Sequence, residues 1–232
     1  MSVRVWSLTV GLMLFGAAPA LVGDEAGLDD GAAAVLAVEE APRWLYWVDL
    51  GGNFAGESDL DLPIGLNVDP GVTFDPGVRI DAGAGYRPLP WLRVGVETGY
   101  VWNPMQSVLG FDSEDGELTQ VPIQAVVAMD RPLWGPVGFT VGGGAGGVWT
   151  RADSGPTPLW RRVGSDRFVA GYQGFAGLTY AIGRKMQVGL HYRLSVVDRL
   201  DWNLEYWGGG IQTTQTDAVM NHGISVLFRA DF

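Results

Sequence analysis

The sequence predicts an all-β chain, an eight-stranded antiparallel up-and-down transmembrane β-barrel, and three observations carry that expectation. From Trp44 onward, apolar residues recur at every second position in eight segments, the period of a strand with one apolar face. The connections between these segments alternate long and short. The last segment runs Ile224, Val226, Phe228, Ala230, Phe232 against Ser225, Leu227, Arg229, Asp231 and stops on an aromatic residue. Such a strand leaves an open, apolar edge unless it pairs with the first one.

Composition agrees. Gly is high at 35 and Trp at 10, while charged residues are only 18%. A strand that shows one face to lipid and the other to a polar lumen averages to this mixture. Cysteine is absent and there are two His, so neither a disulfide framework nor a Cys or multi-His metal centre is expected, and no cofactor is implied. A net charge of -11 argues against a nucleic-acid partner. Lys185 is the only Lys.

Residues 1–20 read as a secretory signal peptide: Arg4, an apolar run from Val5 to about Phe15, then Ala18-Pro19-Ala20 as a cleavage site. An uncleaved anchor through Val22 is the rival reading. Cleavage removes Arg4 and takes the charge from -11 to -12. Residues 21–42 form an acidic, Ala/Gly-rich segment expected to be mobile in the periplasm, and residues 43–232 are assigned to the barrel.

The first strand is Trp44–Phe54, with Trp44, Tyr46, Val48 and Leu50 alternating with Leu45, Trp47 and Asp49. A long connection follows, to about Pro76. Strand two carries Val78 to Tyr86, and a Pro-rich turn at Arg87–Pro90 leads into strand three, Leu92–Trp102. Strand four is about Leu118–Met129; Pro122 lies inside it and cannot donate to a ladder, so a bulge or late start is expected there. After a short turn at Asp130–Gly135, strand five is Pro136–Thr150. Strand six is about Phe168–Ile182, strand seven Met186–Val197, and strand eight follows a long connection from Asp198 to about Asp217. Each length suits a tilted crossing of a bilayer, and an even count closes with both ends on one side. An open sheet in lipid would leave backbone groups unpaired. Ser58, Ser113, Ser154 and Thr214 mark the long connections as positions open to a reagent from outside; Leu89 and Gly183 mark the short turns.

Aromatic residues gather at both ends: Trp44, Tyr46, Tyr86, Trp91, Trp134, Tyr180 and Phe232 beside the short turns, Phe54, Tyr100, Trp102, Trp149 and Phe168 beside the long connections. Two such bands are the girdles of a membrane barrel. The alternative is a soluble sandwich or lipocalin-type barrel with the apolar face inward and Arg79 and Glu97 in water.

On the segments GYRPLPWLRVGVETGY (85–100), TQVPIQ (119–124), GYQGFAGLTYAI (171–182) and the ending ISVLFRADF, the chain from about Trp44 to Phe232 resembles the eight-stranded bacterial outer-membrane β-barrel family, the OmpA/OmpX-like transmembrane domain. Ala230 stands where that family often has an aromatic residue. The resemblance implies residence in the bacterial outer membrane, contact with outer-membrane lipid and lipopolysaccharide, and recognition of Phe232 and of the alternating apolar residues before it, Phe228 among them, by the barrel assembly machinery. It fixes no activity, because the family includes adhesins and structural anchors.

Gly142–Gly147 formally matches a dinucleotide-binding glycine pattern, but Val148, Trp149 and Thr150 continue a strand where a helix would be needed; the glycines instead make room inside a narrow barrel. The acidic groups at Glu57–Asp61 and Asp112–Glu117 lack the spacing of a calcium loop. His191 and Ser195 share a face, and outer-membrane lipid A deacylases use a His/Ser pair, yet four residues along a strand span about 13 Å, too far for a hydrogen bond.

The other face is the informative one. With lipid outside, Asp49, Arg79, Asp81, Arg93, Glu97, Gln124, Gln173, His191, Arg193, Ser225 and Arg229 point inward. An eight-stranded barrel is narrow enough to be filled by side chains, and unpaired buried charge is costly. An ion-pair network of Asp49, Arg79, Asp81, Arg93, Glu97, Arg193 and Arg229 plugging the lumen is therefore expected, with Arg79, Asp81, Arg93 and Glu97 on adjacent strands at the same inward parity. The functional expectation is a monomeric, non-catalytic outer-membrane protein with a structural or surface-interaction role through four extracellular loops, whose ligand the sequence does not name. A low-conductance pore is the alternative, and a lipid A-modifying enzyme a more distant one.

Overall fold

The computed structural model describes residues 44–61, 71–113, 115–158, 160–183 and 185–232; the expected signal peptide (1–20) and acidic segment (21–42) lie outside them. The described residues form thirteen strands and no helix: β1 (Trp44–Ala55), β2 (Ser58–Asp59), β3 (Gly71–Phe74), β4 (Gly77–Leu89), β5 (Leu92–Val108), β6 (Phe111–Asp112), β7 (Glu117–Trp134), β8 (Val137–Asp153), β9 (Trp160–Ile182), β10 (Met186–Val197), β11 (Asp201–Tyr206), β12 (Ile211–Gln215) and β13 (Val219–Asp231). Eight of them close a ring in the order β1-β4-β5-β7-β8-β9-β10-β13 and back to β1, each pair antiparallel. The closing seam keeps one register from Leu45↔Asp231 to Ala55↔Asn221, so the ring leaves no open edge to lipid.

The other five strands sit in the long connections. β2 pairs with β3, and β3 and β6 pair with β5; the β11–β12 hairpin adds to β9. At the opposite end the turns are short, and Gly135 (φ 51°) and Gly183 (φ 75°) occupy the left-handed region there, which favours glycine in tight hairpins.

Several boundaries differ from the sequence expectation. β5 continues six residues past Trp102, β7 reaches Trp134, and β9 starts at Trp160 rather than Phe168. For β5 and β9 the reason is an inversion of polarity along the wall. In the membrane zone Ile80, Val96, Val127 and Leu190 face outward and Asp81, Glu97 and Arg193 are buried inside. Towards the long connections Gln106, Arg151, Arg162 and Asp166 are exposed while Met105, Ala152 and Val163 are buried. The strand period persists, but the apolar residues change face, and the segment resembles a polar loop to a reader seeking an outward apolar stripe.

Pro122 introduces no bulge. β7 pairs with β8 in one register through Pro122↔Val148. Towards β5 the ladder lapses only between Thr98↔Ile123 and Val101↔Gln120, without a register shift, and the Thr98 hydroxyl donates to the Pro122 carbonyl at 2.9 Å. Gly142–Gly147 lies in β8; a Cβ on Gly142 would stand 2.6 Å from the Phe175 ring, so this glycine gives an interior aromatic its place. Ser58, Ser113, Ser154 and Thr214 are buried, which corrects the expectation that the long connections are open at these points.

Candidate functional site

The barrel interior is stacked in four layers, and inward parity of alternating strand residues supplies each one. All eleven residues expected inside are buried there.

The central layer is organised by Arg193 on β10, 2% exposed. Its guanidinium donates to Asp49 Oδ2 at 3.0 Å, hydrogen-bonds Glu97 and Gln173, and lies 3.7 Å from Asp81 Oδ2. Arg79 Nε donates to Asp81 at 2.5 Å, and its terminal nitrogens reach Ser195 Oγ at 3.2 Å and Gln173 Oε1 at 3.4 Å. Glu97 also accepts from Trp47 Nε1 at 2.7 Å and Gln173 Nε2 at 2.8 Å. Asp49 accepts from Ser225 Oγ at 3.3 Å and has His191 Nδ1 at 3.4 Å. His191 and Ser195 thus engage different partners and do not form a nucleophile–base pair.

The second layer, nearer the short turns, is built on Asp130. Arg229 Nη1 donates to it at 2.8 Å, and Arg93 Nε and Arg87 Nη2 lie 3.8 and 3.9 Å away. Arg87 also donates to Asp231 at 3.0 Å, and Arg229 to Gln187. Arg93 and Arg229 therefore belong here, apart from the other five residues of the expected network, and Glu97 is hydrogen-bonded by Arg193 rather than Arg79 or Arg93. Arg87 and Asp130, expected in turns, are strand residues pointing in.

Aromatic rings separate the two charged layers. Arg93 lies 4.5 Å from the Trp47 ring centroid and 5.9 Å from that of Phe175, and Arg193 lies 5.3 Å from Phe175 on its own side. Cations over ring faces are favourable, more so when desolvated. Across both layers the Arg residues 79, 87, 93, 193 and 229 face the carboxylates Asp49, Asp81, Glu97, Asp130 and Asp231, five against five. The space among Trp47, Asp49, Arg93, Phe175 and His191 has no room for a water molecule. A cavity beside Arg79, Gln124 and Ser195 measures about 10 Å³, near the lower limit for a single water.

Above the charges lies a neutral amide layer. Asn53 Nδ2 donates to Asn103 Oδ1 at 2.7 Å and to Asn221 Oδ1 at 3.2 Å, and Asn221 donates to Gln120 at 3.1 Å. The fourth layer is apolar. Leu60, Val72, Met105, Leu118, Trp160, Leu200, Trp202, Leu204 and Val219 are buried against one another where the long connections meet the barrel. Trp160 and Trp202 are each 1% exposed.

The outer wall carries the expected aromatic bands. Trp44 packs edge-on against Tyr86 (5.4 Å) and Tyr46 against Phe232 (5.7 Å) beside the short turns. At the other band the indoles of Trp102 and Trp149 donate to Glu117 (3.0 Å) and Asp166 (2.8 Å), apolar bodies with polar handles as an interface requires. Phe228 and Phe232 are exposed on the wall, and the Phe232 amide donates to the Trp44 carbonyl at 3.0 Å.

Sequence reasoning missed Trp47 and Phe175 as interior rings, the partners of Asp130 and Asp231, and the apolar cap. Parity was a usable signal for Trp47 and Asp231; nothing local marks the cap.

Comparisons with known proteins bear on the barrel fold. The profile of the outer membrane protein beta-barrel domain matches residues 9–232. No curated protein matches the chain. Among solved structures it is similar to outer membrane protein AlkL in lipid bilayers, at 15% identity and a TM-score of 0.54, covering 91% of this chain and 97% of AlkL. It is also similar to Neisserial surface protein A, at 20% identity and a TM-score of 0.49, covering 81% of this chain and 97% of that one. The chain belongs to the outer membrane protein β-barrel family and resides in the bacterial outer membrane.

Proposed function

We propose that this protein is a monomeric, non-catalytic outer-membrane barrel with a plugged interior, serving a structural or surface-interaction role through its long connections on the outside of the cell. The observation that carries the reading is the matched set of five guanidiniums and five carboxylates around the barrel axis, with no water-sized space among Asp49, Arg93, Glu97 and Arg193; the layer of Arg87, Asp130 and Arg229 opens on a cavity of about 240 Å³ at the short-turn end. Charges so paired do not supply a hydrated path, and a pore needs one. His191 stands 3.4 Å from Asp49 and Ser195 accepts from Arg79, so the two side chains are not arranged as a nucleophile and its base. The apolar cap gives the external face a folded platform. Phe228 and Phe232 are the proposed recognition residues for the assembly machinery, which must meet this strand before its edge is paired.

Planar bilayer recording of the purified protein tests this. The expected result is a silent barrel across the physiological voltage range; sustained, salt-dependent conductance would support the pore reading instead. Deleting Phe232 should lower the folded fraction recovered from outer membranes, measured on unheated gels, and an undiminished fraction would remove the recognition role.

A further inference from the structure

We propose that the mouth of the barrel at the short-turn end binds a small carboxylate, a monoanion of a few heavy atoms held by Arg87, Arg131 and Arg229. The site faces whichever compartment the short turns face, so it does not depend on the orientation of the barrel.

The interior charges balance as a whole but not layer by layer. Nearest the short turns, Arg87, Arg93 and Arg229 face two carboxylates, Asp130 and Asp231. The deeper layer is unbalanced the other way, with Arg79 and Arg193 against Asp49, Asp81 and Glu97. Two rings stand between the layers: Arg93 lies 4.5 Å from the Trp47 centroid, and Arg193 lies 5.3 Å from that of Phe175. The mouth is therefore one carboxylate short, and buried charge without a counter-charge is costly. An anion from solution supplies what is missing.

The same layer has room for it. A cavity of about 240 Å³ is lined by Arg87, Asp130, Arg131, Gln187 and Arg229. It is smaller than the usual range of drug-sized sites and several times the share of about 30 Å³ that one water takes in the liquid. That volume suits a ligand of a few heavy atoms. Exposed Arg131, Pro132 and Gly135 form its rim, and behind it no water-sized space lies among Trp47, Asp49 and Arg93. The pocket is blind, so a solute leaves by the mouth through which it entered.

Its donors are partly unspent. Arg87 and Arg229 are 9% and 4% exposed, and the Nε of each has no hydrogen-bond partner among the described residues. Their terminal nitrogens hold the walls together, Arg87 Nη1 on Asp231 at 3.0 Å and Arg229 Nη1 on Asp130 at 2.8 Å. Gln187 accepts from Arg229 through Oε1, which leaves its Nε2 as a further donor. Arg131, 5.3 Å from the Trp91 ring centroid, has no ion pair among the described residues and draws an anion to the rim. Asp130 is the one carboxylate lining the cavity, against three guanidiniums. A carboxylate monoanion matches the single missing charge, whereas a phosphate dianion exceeds it. Pro90, Pro132 and Pro136 complete the lining with rigid rings that a short alkyl chain can touch.

The test is titration of the full chain in detergent with carboxyl-labelled propionate, followed by the carboxyl resonance, with fold checked by unheated gel mobility. Saturable binding with a Kd of about millimolar is expected, and propionamide, which has the shape without the charge, should not compete. Arg229→Gln should weaken binding about tenfold, the loss of one charge-assisted contact. Arg131→Gln, at the exposed rim, should weaken it about threefold. Lys185→Gln removes the same charge from an exposed residue at the same end but outside the cavity, and should change binding by less than about twofold. Where Arg229→Gln does not fold, Arg131→Gln set beside Lys185→Gln decides. Absence of saturable binding, equal competition by propionamide, or equal losses in Arg131→Gln and Lys185→Gln overturns the proposal. Tighter binding of inorganic phosphate than of propionate overturns the commitment to a carboxylate.

Discussion

The membrane zone of this barrel and its long-connection end are built from the same strands with opposite faces turned inward. In the first, Val96 and Leu190 look out and Glu97 and Arg193 look in. In the second, Arg151 and Asp166 look out and Ala152 and Val163 look in. The surroundings explain the reversal. Lipid admits apolar side chains only, so polar residues inside the membrane zone must satisfy one another. Beyond the head groups the outside is wet, and the inside can be an ordinary apolar core. One zone pairs charges in its interior, and the other buries apolar area. The amide layer of Asn53, Asn103, Asn221 and Gln120 joins them, fully polar yet uncharged.

If that contrast is right, the two zones should break differently. The largest effect is expected from Arg193→Leu. It leaves Glu97 and Asp49 without their guanidinium partner, and removing one side of a buried pair costs about 3–5 kcal/mol. The folded fraction in detergent and the unfolding temperature should both fall sharply. Trp202→Ala also removes a fully buried side chain, worth about 3–5 kcal/mol in a packed core, but its damage should stay in the cap. Proteolysis of the long connections on intact cells should rise while the barrel keeps its anomalous gel mobility; loss of that mobility would mean the zones are one cooperative unit. Asn53→Ala should cost less, about 1–3 kcal/mol for the amide groups of Asn103 and Asn221 left unsatisfied. A cost as large as that of Arg193→Leu would place charge and amide layers on the same footing.

What could be read in advance follows the same division. Inward parity placed Asp49, Arg79, Asp81, Arg93, Glu97, Arg193 and Arg229 inside because lipid forces a clean alternation on the outer face. Parity says which face, not what height. Arg193 meets Glu97 across 96 residues of chain, and Arg93 and Arg229 meet Asp130 rather than Glu97. Strand tilt and stagger decide those heights, and they are properties of the closed ring. The cap was illegible for a different reason. Trp160, Trp202 and Leu204 stand among charged and polar neighbours in segments that look like loops, and Ser58, Ser113, Ser154 and Thr214 look open although the fold buries them.

The central claim is that the interior charges stabilise the barrel only as a compensated set. The direct test is the unfolding temperature of Arg193→Leu beside that of Arg193→Leu combined with Glu97→Gln, which leaves four guanidiniums against four carboxylates, with Asp81 on Arg79 and Asp49 beside His191. Compensation predicts that the single variant is strongly destabilised and that the double variant regains much of the loss, because the numbers of buried cations and carboxylates are then equal again. A single variant as stable as the parent, or a double variant no more stable than the single one, would contradict it.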